Sequence, residues 1–424
     1  MVRNLANKAL IRISDGEFST EVLNNLSKKL DIRDRAFLRE LVYGVLENRT
    51  YLDYMIDKKS KIPTKKLEID VLETLRVALY QLVFLDIEDY AIINEAVEVI
   101  KKTNKRSSAF VNGILRNINR DLENVKKINV NNRMEYLSIR YSHPIEIIKY
   151  LNQYFSMEEV EGILKENNEP SYNDIRVNSL QVTRDQIFER FEKENIKVEK
   201  SKISKDTIKL MSFENVTSRD DFKRGDYTIQ GETSALVSEI LNPKRGSSVL
   251  DICAAPGSKT CHLASIMENE GRVIANDVDR YRLNNIIENA ARMNIDIIET
   301  VNFDGSILKE EYLSKFDYIL CDVPCSGLGL LGKKPDIRWN FNINTINELS
   351  KLQRKIINNA YKYLKDDGKI VYSTCTYGRL ENEDVIEDFL KNHHDMKLGD
   401  FSMKSFNPYK DKSDGFFIAE LEKK

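Results

Sequence analysis

The run VLDICAAPGSKT, residues 249–260, decides the fold. It reads as a short apolar strand, a loop of small residues from Cys253 to Gly257, and a helix that starts at Ser258. Small side chains let a ligand approach the backbone, and a helix N-terminus favours negative groups. Two familiar nucleotide loops fail on this stretch. A GxxxxGKS/T phosphate loop lacks its glycine–lysine pair, because Ser258 precedes Lys259, and GxGxxG fails because Gly257 stands alone.

Outward from this run, apolar β-type segments alternate with helical periodicity from about residue 226 to the end. The expected strands are SVLDI, RVIAND, IIETVN, FDYILCD, GKIVYST and FFIAEL. Such alternation implies a mostly parallel α/β sheet covered by helices on both faces. Acidic residues close three successive strands: Asp277, Asp304 and Asp322. A carboxylate after the second strand suits a ribose diol and one after the third an adenine edge, although any single one equally suits a turn or a helix cap. Three of them in register with the small-residue loop point to a nucleoside cofactor. The expected cofactor residues are Cys253, Ala254, Ala255, Pro256, Gly257, Ser258, Lys259, Asp277, Asp304 and Asp322.

On the other side of the run, residues 1–140 carry helical periodicity throughout, as in AFLRELVYGVLENRTYLDYMI and VLETLRVALYQLVFL, and predict an all-α module of six or seven helices. Residues 141–225 mix two short helices, the alternating strand DIRVNSL, the helix TRDQIFERFEKE after a threonine cap, and further short strands. A three-part chain follows: 1–140 all-helical, 141–225 small α+β, and 226–424 α/β.

Bulk properties narrow the classes. The 424 residues carry a net charge of −2, from 65 basic and 67 acidic side chains, so the general basic footprint of a nucleic-acid binder is absent. The local run KKTNKR, 101–106, reads as a solvated helix end with cations near its C-terminal dipole. The opening MVRNLANKAL does not resemble a signal peptide, and with no run of ~20 apolar residues a spanning helix is not expected. The five cysteines are odd in number and lie beyond residue 250, which argues against a disulfide framework and for a reducing, cytoplasmic setting.

Inert burial is the default for a free cysteine and is expected of Cys261 and Cys321, within a helix and a strand. Cys325, in LCDVPCSG, and Cys375, in VYSTCT, differ because each ends a strand among turn-forming or hydroxyl residues. Ser373, Thr374 and Thr376 surround Cys375 with hydroxyl donors suited to a thiolate. A free thiol of pKa ~8.5 is mostly protonated at neutral pH, so such help matters. Zinc is disfavoured: no second pair or nearby histidine completes a site around Cys321 and Cys325, and no metal is expected. Two thiols and a cofactor loop on one sheet edge suggest nucleophilic chemistry on an electrophilic ring, with the attacking thiol left open.

Taken together, DICAAPGSKT, DVPCSGLG, KKPDIRW, STCT and DGFFIAEL resemble the RNA (cytosine-C5)-methyltransferases of the RsmB/NOP family. RVN at 176–178 and IQGETSAL extend the likeness into the middle region, and the helical N-terminus resembles the NusB fold. Three positions depart from the family's usual pattern: Ser258 for glycine, Val323 for alanine, and Gly231 for an acid. At Ser258 a required positive φ would be strained.

The resemblance implies a NusB-like RNA-binding domain, a small RRM/ferredoxin-like domain and a class I, Rossmann-like methyltransferase domain that uses S-adenosyl-L-methionine. It implies methylation of carbon 5 of a cytosine in 16S rRNA, position 967 in the family, with RNA as partner; a monomer is the expectation for a three-domain chain. It assigns the attacking thiol to Cys375 and adduct release to Cys325, with Asp322 holding the base. Lys259 would orient Asp322 or the methionine carboxylate. Arg176, Asn178, Lys333 and Lys334 are candidates for RNA contact, and Trp339 is expected to pack against the sheet. The rival functions are C5 methylation of another rRNA or tRNA, and a non-catalytic RNA-binding assembly factor.

Overall fold

The computed structural model describes residues 1–424, which divide into two compact units. The first comprises Met1–Glu169 with Leu331–Phe341, and the second Pro170–Leu330 with Asn342–Lys424.

The first unit is helical. Eight helices precede residue 142, one of them the single turn Leu122–Val125, and Ile145–Leu151 and Met157–Glu166 follow. Helix Ile69–Phe84 forms its axis. Every residue from Val71 to Leu82 is buried there, including Glu73, Arg76 and Gln81, so the apolar surface goes all round rather than along one stripe. Arg76 is kept charged in that interior by Asp53, at 2.7 Å, and by Glu73 at 2.5 Å. The run KKTNKR closes helix Asp89–Thr103 with exposed lysines at 101 and 102, Lys101 pairing with Glu98, as the solvated-end reading expects.

The segment Leu331–Phe341 is drawn into this unit although it lies between two strands of the α/β region in sequence. Trp339 packs on the helical core and donates its indole N–H to the Leu46 carbonyl at 3.0 Å, with Arg49 over its ring. The expectation that Trp339 packs against the sheet is therefore corrected: the aromatic finds its apolar partners, and an acceptor for its N–H, among helices. Arg338 is fully buried and donates to the carbonyls of Asn167 and Leu331 at 2.9 and 3.2 Å.

The second unit holds two sheets. The strands are β1 Asp174–Val177, β2 Val198–Lys200, β3 Thr207–Leu210, β4 Tyr227–Ile229, β5 Ser248–Asp251, β6 Arg272–Asn276, β7 Ile298–Val301, β8 Phe316–Asp322, β9 Leu364–Thr374, β10 Met396–Phe406 and β11 Phe416–Lys423. The small sheet, in order β2-β3-β1-β4, is antiparallel and packs on helix Arg184–Lys193, which a Thr183–Gln186 capping box starts. The large sheet runs β10-β11-β9-β8-β5-β6-β7, parallel from β9 through β7, with β11 and β10 antiparallel at one edge. All six strands read from the sequence are present. The seventh, β10, escaped that reading because it is an edge strand with only its two end residues buried, broken by a register shift between Leu398 and Met403.

From β5 the chain builds outward to β6 and β7 on one side and then returns to lay β8 and β9 on the other. The loops after β5 and β8 thus diverge from neighbouring strand ends, which opens a crevice at the carboxyl edge of the sheet. No helix is long and apolar enough to cross a membrane.

Candidate active site

Parallel pairing of β8 with β9 sets Asp322 opposite Ser373. Cys325 lies three residues beyond the first and Cys375 two beyond the second, and their sulfurs are 3.3 Å apart. The loop after β8 is stitched to the end of β9: Gly329 N–H donates to the Cys375 carbonyl at 3.0 Å, and Gly415 N–H to the Gly329 carbonyl at 2.9 Å. A Cβ at Gly329 would stand 1.9 Å from the Gly415 carbonyl oxygen, so glycine is needed for this approach. Both thiols are partly exposed, whereas Cys261 and Cys321 are buried as expected.

Charge is arranged around the pair. Asp322 accepts from Lys259 Nζ at 2.6 Å and from the Ser373 hydroxyl at 2.7 Å, so Lys259 takes the first of its two expected positions. Burial acts to lower the Lys259 pKa, but Asp322 outweighs it and the ammonium is favoured, with Cys375 adding to that effect. The contact with Cys375, then burial, pushes the Cys325 thiol well up. The two sulfurs lie within S–H···S reach of each other, and Cys375 is the one that shares its surroundings with the Lys259 ammonium.

The cofactor loop is shaped for close approach. Gly257 N–H closes a tight turn on the Ala254 carbonyl at 2.7 Å, and Gly257 has φ 98°. Its absent side chain leaves room for the helix carrying Ile286, whose Cα a Cβ would meet at 3.0 Å. Positive φ falls on Gly257 and Ser258 opens helix Ser258–Ile266, so serine at 258 carries no strain. Asp277 accepts from Ala255 N–H at 3.1 Å and is buried, which ties the loop to the end of β6. Asp304 is exposed and accepts from Ser306 N–H at 2.8 Å, a turn-closing geometry. Cys253 lies partly exposed in the loop, its thiol pushed well up by burial.

The departure at Gly231 is also accommodated. Gly231 caps helix Glu232–Leu241 without a side chain, and Asp174 supplies the missing carboxylate by accepting from Glu232 N–H at 3.2 Å.

Two residues of the site were missed by the sequence reading. Asp251 ends β5, is buried, and has its carboxyl pKa pushed up to about 7 by desolvation. Thr260 satisfies one of its oxygens at 2.7 Å, and Oδ1 has no partner. Its place at the end of the opening strand, beside three other strand-end acids, was the available signal. Glu381, buried in the turn after Cys375, accepts from Ser326 N–H and Oγ–H at 2.9 and 2.5 Å. Nothing in its spacing from Cys325 announced that contact.

Several expectations are corrected. The hydroxyls around Cys375 do not solvate it. Ser373 gives its proton to Asp322 and Thr374 to Asn382, while Thr376 sits 2.6 Å from Ser326 Oγ, whose own proton goes to Glu381. Arg176 and Asn178 are no RNA contacts, because both are wholly buried. Arg176 donates to Gln230 and to the Ser258 carbonyl, and Asn178 to the carbonyls of Gly225 and Met293, so the RVN run ties the small sheet to the large one. Lys333 is half-buried and Lys334 exposed. Asp206, Glu239 and His262, unremarked in the sequence, bring their ligand atoms within 4.8 Å of one another. They serve the same junction: His262 contacts Asp206 at 3.1 Å, and Glu239 accepts from Ser204 and from two N–H groups of that turn.

Comparison with known proteins agrees with this architecture along the whole chain. The 16S rRNA methyltransferase RsmB/F family matches residues 238–422, the NusB family 1–120, and an RsmF/B-type ferredoxin-like domain 143–217. The probable ribosomal RNA small subunit methyltransferase B of Bacillus subtilis is 34% identical, covering 100% of this chain and 99% of that protein. Ribosomal RNA small subunit methyltransferase B of Serratia proteamaculans is 31% identical over 100% and 98%. Among solved structures, PH0851 superposes with TM-score 0.81 at 26% identity over 100% and 99% of the two chains. A methyltransferase homologue from Pyrococcus horikoshii gives 0.62 at 26% over 70% and 100%. With helical, ferredoxin-like and α/β parts matched in order, the chain belongs to the RsmB/F family of rRNA methyltransferases.

Proposed function

We propose that this protein methylates carbon 5 of one cytosine in 16S rRNA, the family's position 967, using S-adenosyl-L-methionine and a covalent adduct between Cys375 and carbon 6 of the base. The observation that carries the reading is the 3.3 Å separation of the Cys325 and Cys375 sulfurs beside the Lys259–Asp322 pair.

The residues present fit the cofactor. Asp251 Oδ1 is a buried acceptor with no partner, the Cys253–Gly257 loop is shaped for backbone approach, and Asp277 keeps lone pairs for a ribose diol. Cys253, Ala254, Ala255, Pro256, Gly257, Ser258, Lys259, Asp277, Asp304 and Asp322 remain the proposed contacts, to which Asp251 is added. When bound, the cofactor supplies an electrophilic methyl group on a sulfonium.

Carbon 5 of cytosine is a poor nucleophile until carbon 6 is attacked. The Cys375 sulfur adds there and the ring double-bond electrons move to carbon 5, which makes carbon 5 able to take the methyl group that the bound cofactor would supply, the methyl–sulfur bond breaking with its electron pair left on that sulfur. Asp322, fixed by Lys259 and Ser373, holds the polar edge of the base while charge develops. Cys325 gives its proton to the departing Cys375 sulfur and accepts the carbon 5 proton, restoring the ring double bond. The proton that the reaction liberates then leaves from Cys375. One difficult step is divided into two easier ones. The target base must be unstacked before a thiol can reach it. RNA affinity in a near-neutral chain rests on local basic groups such as Lys333 and Lys334 and falls with salt.

The test is incubation of the full-length protein with unmodified 16S rRNA and labelled methyl donor, followed by nucleoside analysis. Labelled 5-methylcytidine at one position supports the proposal. Label on another nucleoside or another carbon rejects the chemistry, and label only in tRNA rejects the substrate.

A further inference from the structure

Two consecutive residues gather the chain on both sides of both thiols. Glu381 is 0% exposed in the turn Arg379–Glu381. Its Oε1 accepts from Ser326 N–H at 2.9 Å and from Gln353 Nε2–H at 3.0 Å, and its Oε2 from Ser326 Oγ–H at 2.5 Å. Ser326 follows Cys325. Because the Ser326 hydroxyl proton is committed to Glu381, Thr376 is the donor in the 2.6 Å contact between Thr376 and Ser326. Thr376 follows Cys375, so one carboxylate reaches the residue after each sulfur. Gln353 also binds the carbonyl of Pro324, which precedes Cys325, at 2.8 Å. Asn382 accepts from Thr374, which precedes Cys375, at 2.6 Å and donates to the Thr376 carbonyl at 3.2 Å. The Glu381 carbonyl accepts from Tyr372 on β9 at 2.6 Å, which anchors the turn to the sheet.

A buried carboxylate is costly unless its oxygens are satisfied, and here they are filled by Ser326, next to Cys325, and by Gln353, which also holds Pro324. We propose that Glu381 is a positioning residue whose carboxylate sets the separation of the Cys325 and Cys375 sulfurs by fixing the residue that follows each. The inference rests on the thiol chemistry proposed above, and its readout does not require that chemistry.

Hydrogen peroxide reports the separation directly. Two thiols and one peroxide give one disulfide and two waters, with the sulfurs oxidised and the peroxide reduced. The intramolecular step requires the sulfurs to meet. Loss of the Glu381 charge would by itself ease ionisation of Cys325 and speed oxidation, so a slower reaction reports geometry. In the full-length protein, Glu381→Ala is expected to slow formation of the Cys325–Cys375 disulfide by about tenfold or more, and to lower kcat with KM for the methyl donor unchanged. Glu381→Gln keeps an acceptor for Ser326 N–H and is expected to restore the disulfide rate. A wild-type disulfide rate in Glu381→Ala overturns the proposal. So does a Glu381→Gln disulfide rate as slow as that of Glu381→Ala, since the retained acceptor would then not be what holds the sulfurs together. If Glu381→Ala does not fold, Ser326→Ala removes the link to Thr376 and leaves the carboxylate, and an unchanged disulfide rate there is equally fatal. Disulfide rates that follow the expectation without methyl transfer to any RNA reject the proposed reaction and leave the positioning role standing.

Discussion

Asp322 and Ser373 face each other across neighbouring parallel strands, and the Ser373 hydroxyl donates to the Asp322 carboxylate at 2.7 Å. That pairing fixes where both thiols emerge. A slip of one residue between β8 and β9 would turn the strand-end side chains to the opposite face, so the site depends on register as much as on residue identity.

The two cysteines should fail differently. Cys375→Ala is expected to reduce methyl transfer to the detection limit and to form no covalent complex with RNA. Cys325→Ala is expected to accumulate a protein–RNA complex that survives denaturing electrophoresis, because attack remains possible while release is impaired. Gel analysis with labelled RNA checks both. Equal accumulation in the two variants would reject the division of roles.

The Lys259–Asp322 pair is largely buried, with side chains 12% and 28% exposed. Removing one partner strands the other, so Lys259→Met is expected to cost about 3 kcal/mol of stability. Lys259→Met with Asp322→Asn should regain most of that loss, because no uncompensated charge remains, yet stay inactive. Denaturant midpoints of the two variants, read beside their turnover, separate the structural from the chemical part.

Asp251 gives the site a pH dependence. Its carboxyl is raised from the ordinary range to about 7, chiefly by burial, with Asp322 adding and Thr260 and Lys259 opposing. A raised carboxyl stabilises the fold at low pH, and that contribution is lost as pH rises through about 7, at most about 4 kcal/mol for this shift. The stability of the ligand-free protein minus that of Asp251→Asn should therefore fall between pH 4 and 7 and flatten above. A donor placed on the unpartnered Oδ1 favours the ionised form. Affinity for the methyl donor should then rise by up to about tenfold per unit below pH 7 and level off above it. Calorimetry of wild type and Asp251→Asn at pH 5.5, 6.5 and 8 tests this, the variant being expected to show no slope.

Gly329→Ala should act through the backbone alone. Its new methyl would collide with the Gly415 carbonyl oxygen, and relieving the clash must part the loop after β8 from the Cys375 carbonyl. A stability loss of about 3 kcal/mol is expected, together with a turnover loss larger than in Gly113→Ala, where no atom lies within 4 Å.

Alternation and strand-end acids made the α/β part legible, because both periodicities survive in the sequence wherever a strand is buried. The loop after β5 and the convergence of Cys325 with Cys375 followed from that reading and from the likeness of the motifs. Hydrogen-bond direction stayed hidden: the serine and threonines beside Cys375 looked like thiolate donors until each proton had an address elsewhere. Exposure also stayed hidden for Arg176, on a strand buried along its whole length, and for Asn178, buried just beyond that strand's end. The edge strand β10 alternates only in two short runs, Met396–Leu398 and Asp400–Lys404, which the register shift between them puts out of phase, and the seat of Trp339 depends on contacts far away in sequence.

The stretch from Leu331 to Phe341 makes this protein hard to dissect. Its residues are encoded inside the catalytic region but complete the packing of the helical half, so cleavage near residue 170 does not yield two self-sufficient fragments. A shortened C-terminal piece would carry an orphaned indole and guanidinium in water. The helical half expressed by itself would have an open seat at the Leu46 and Asn167 carbonyls.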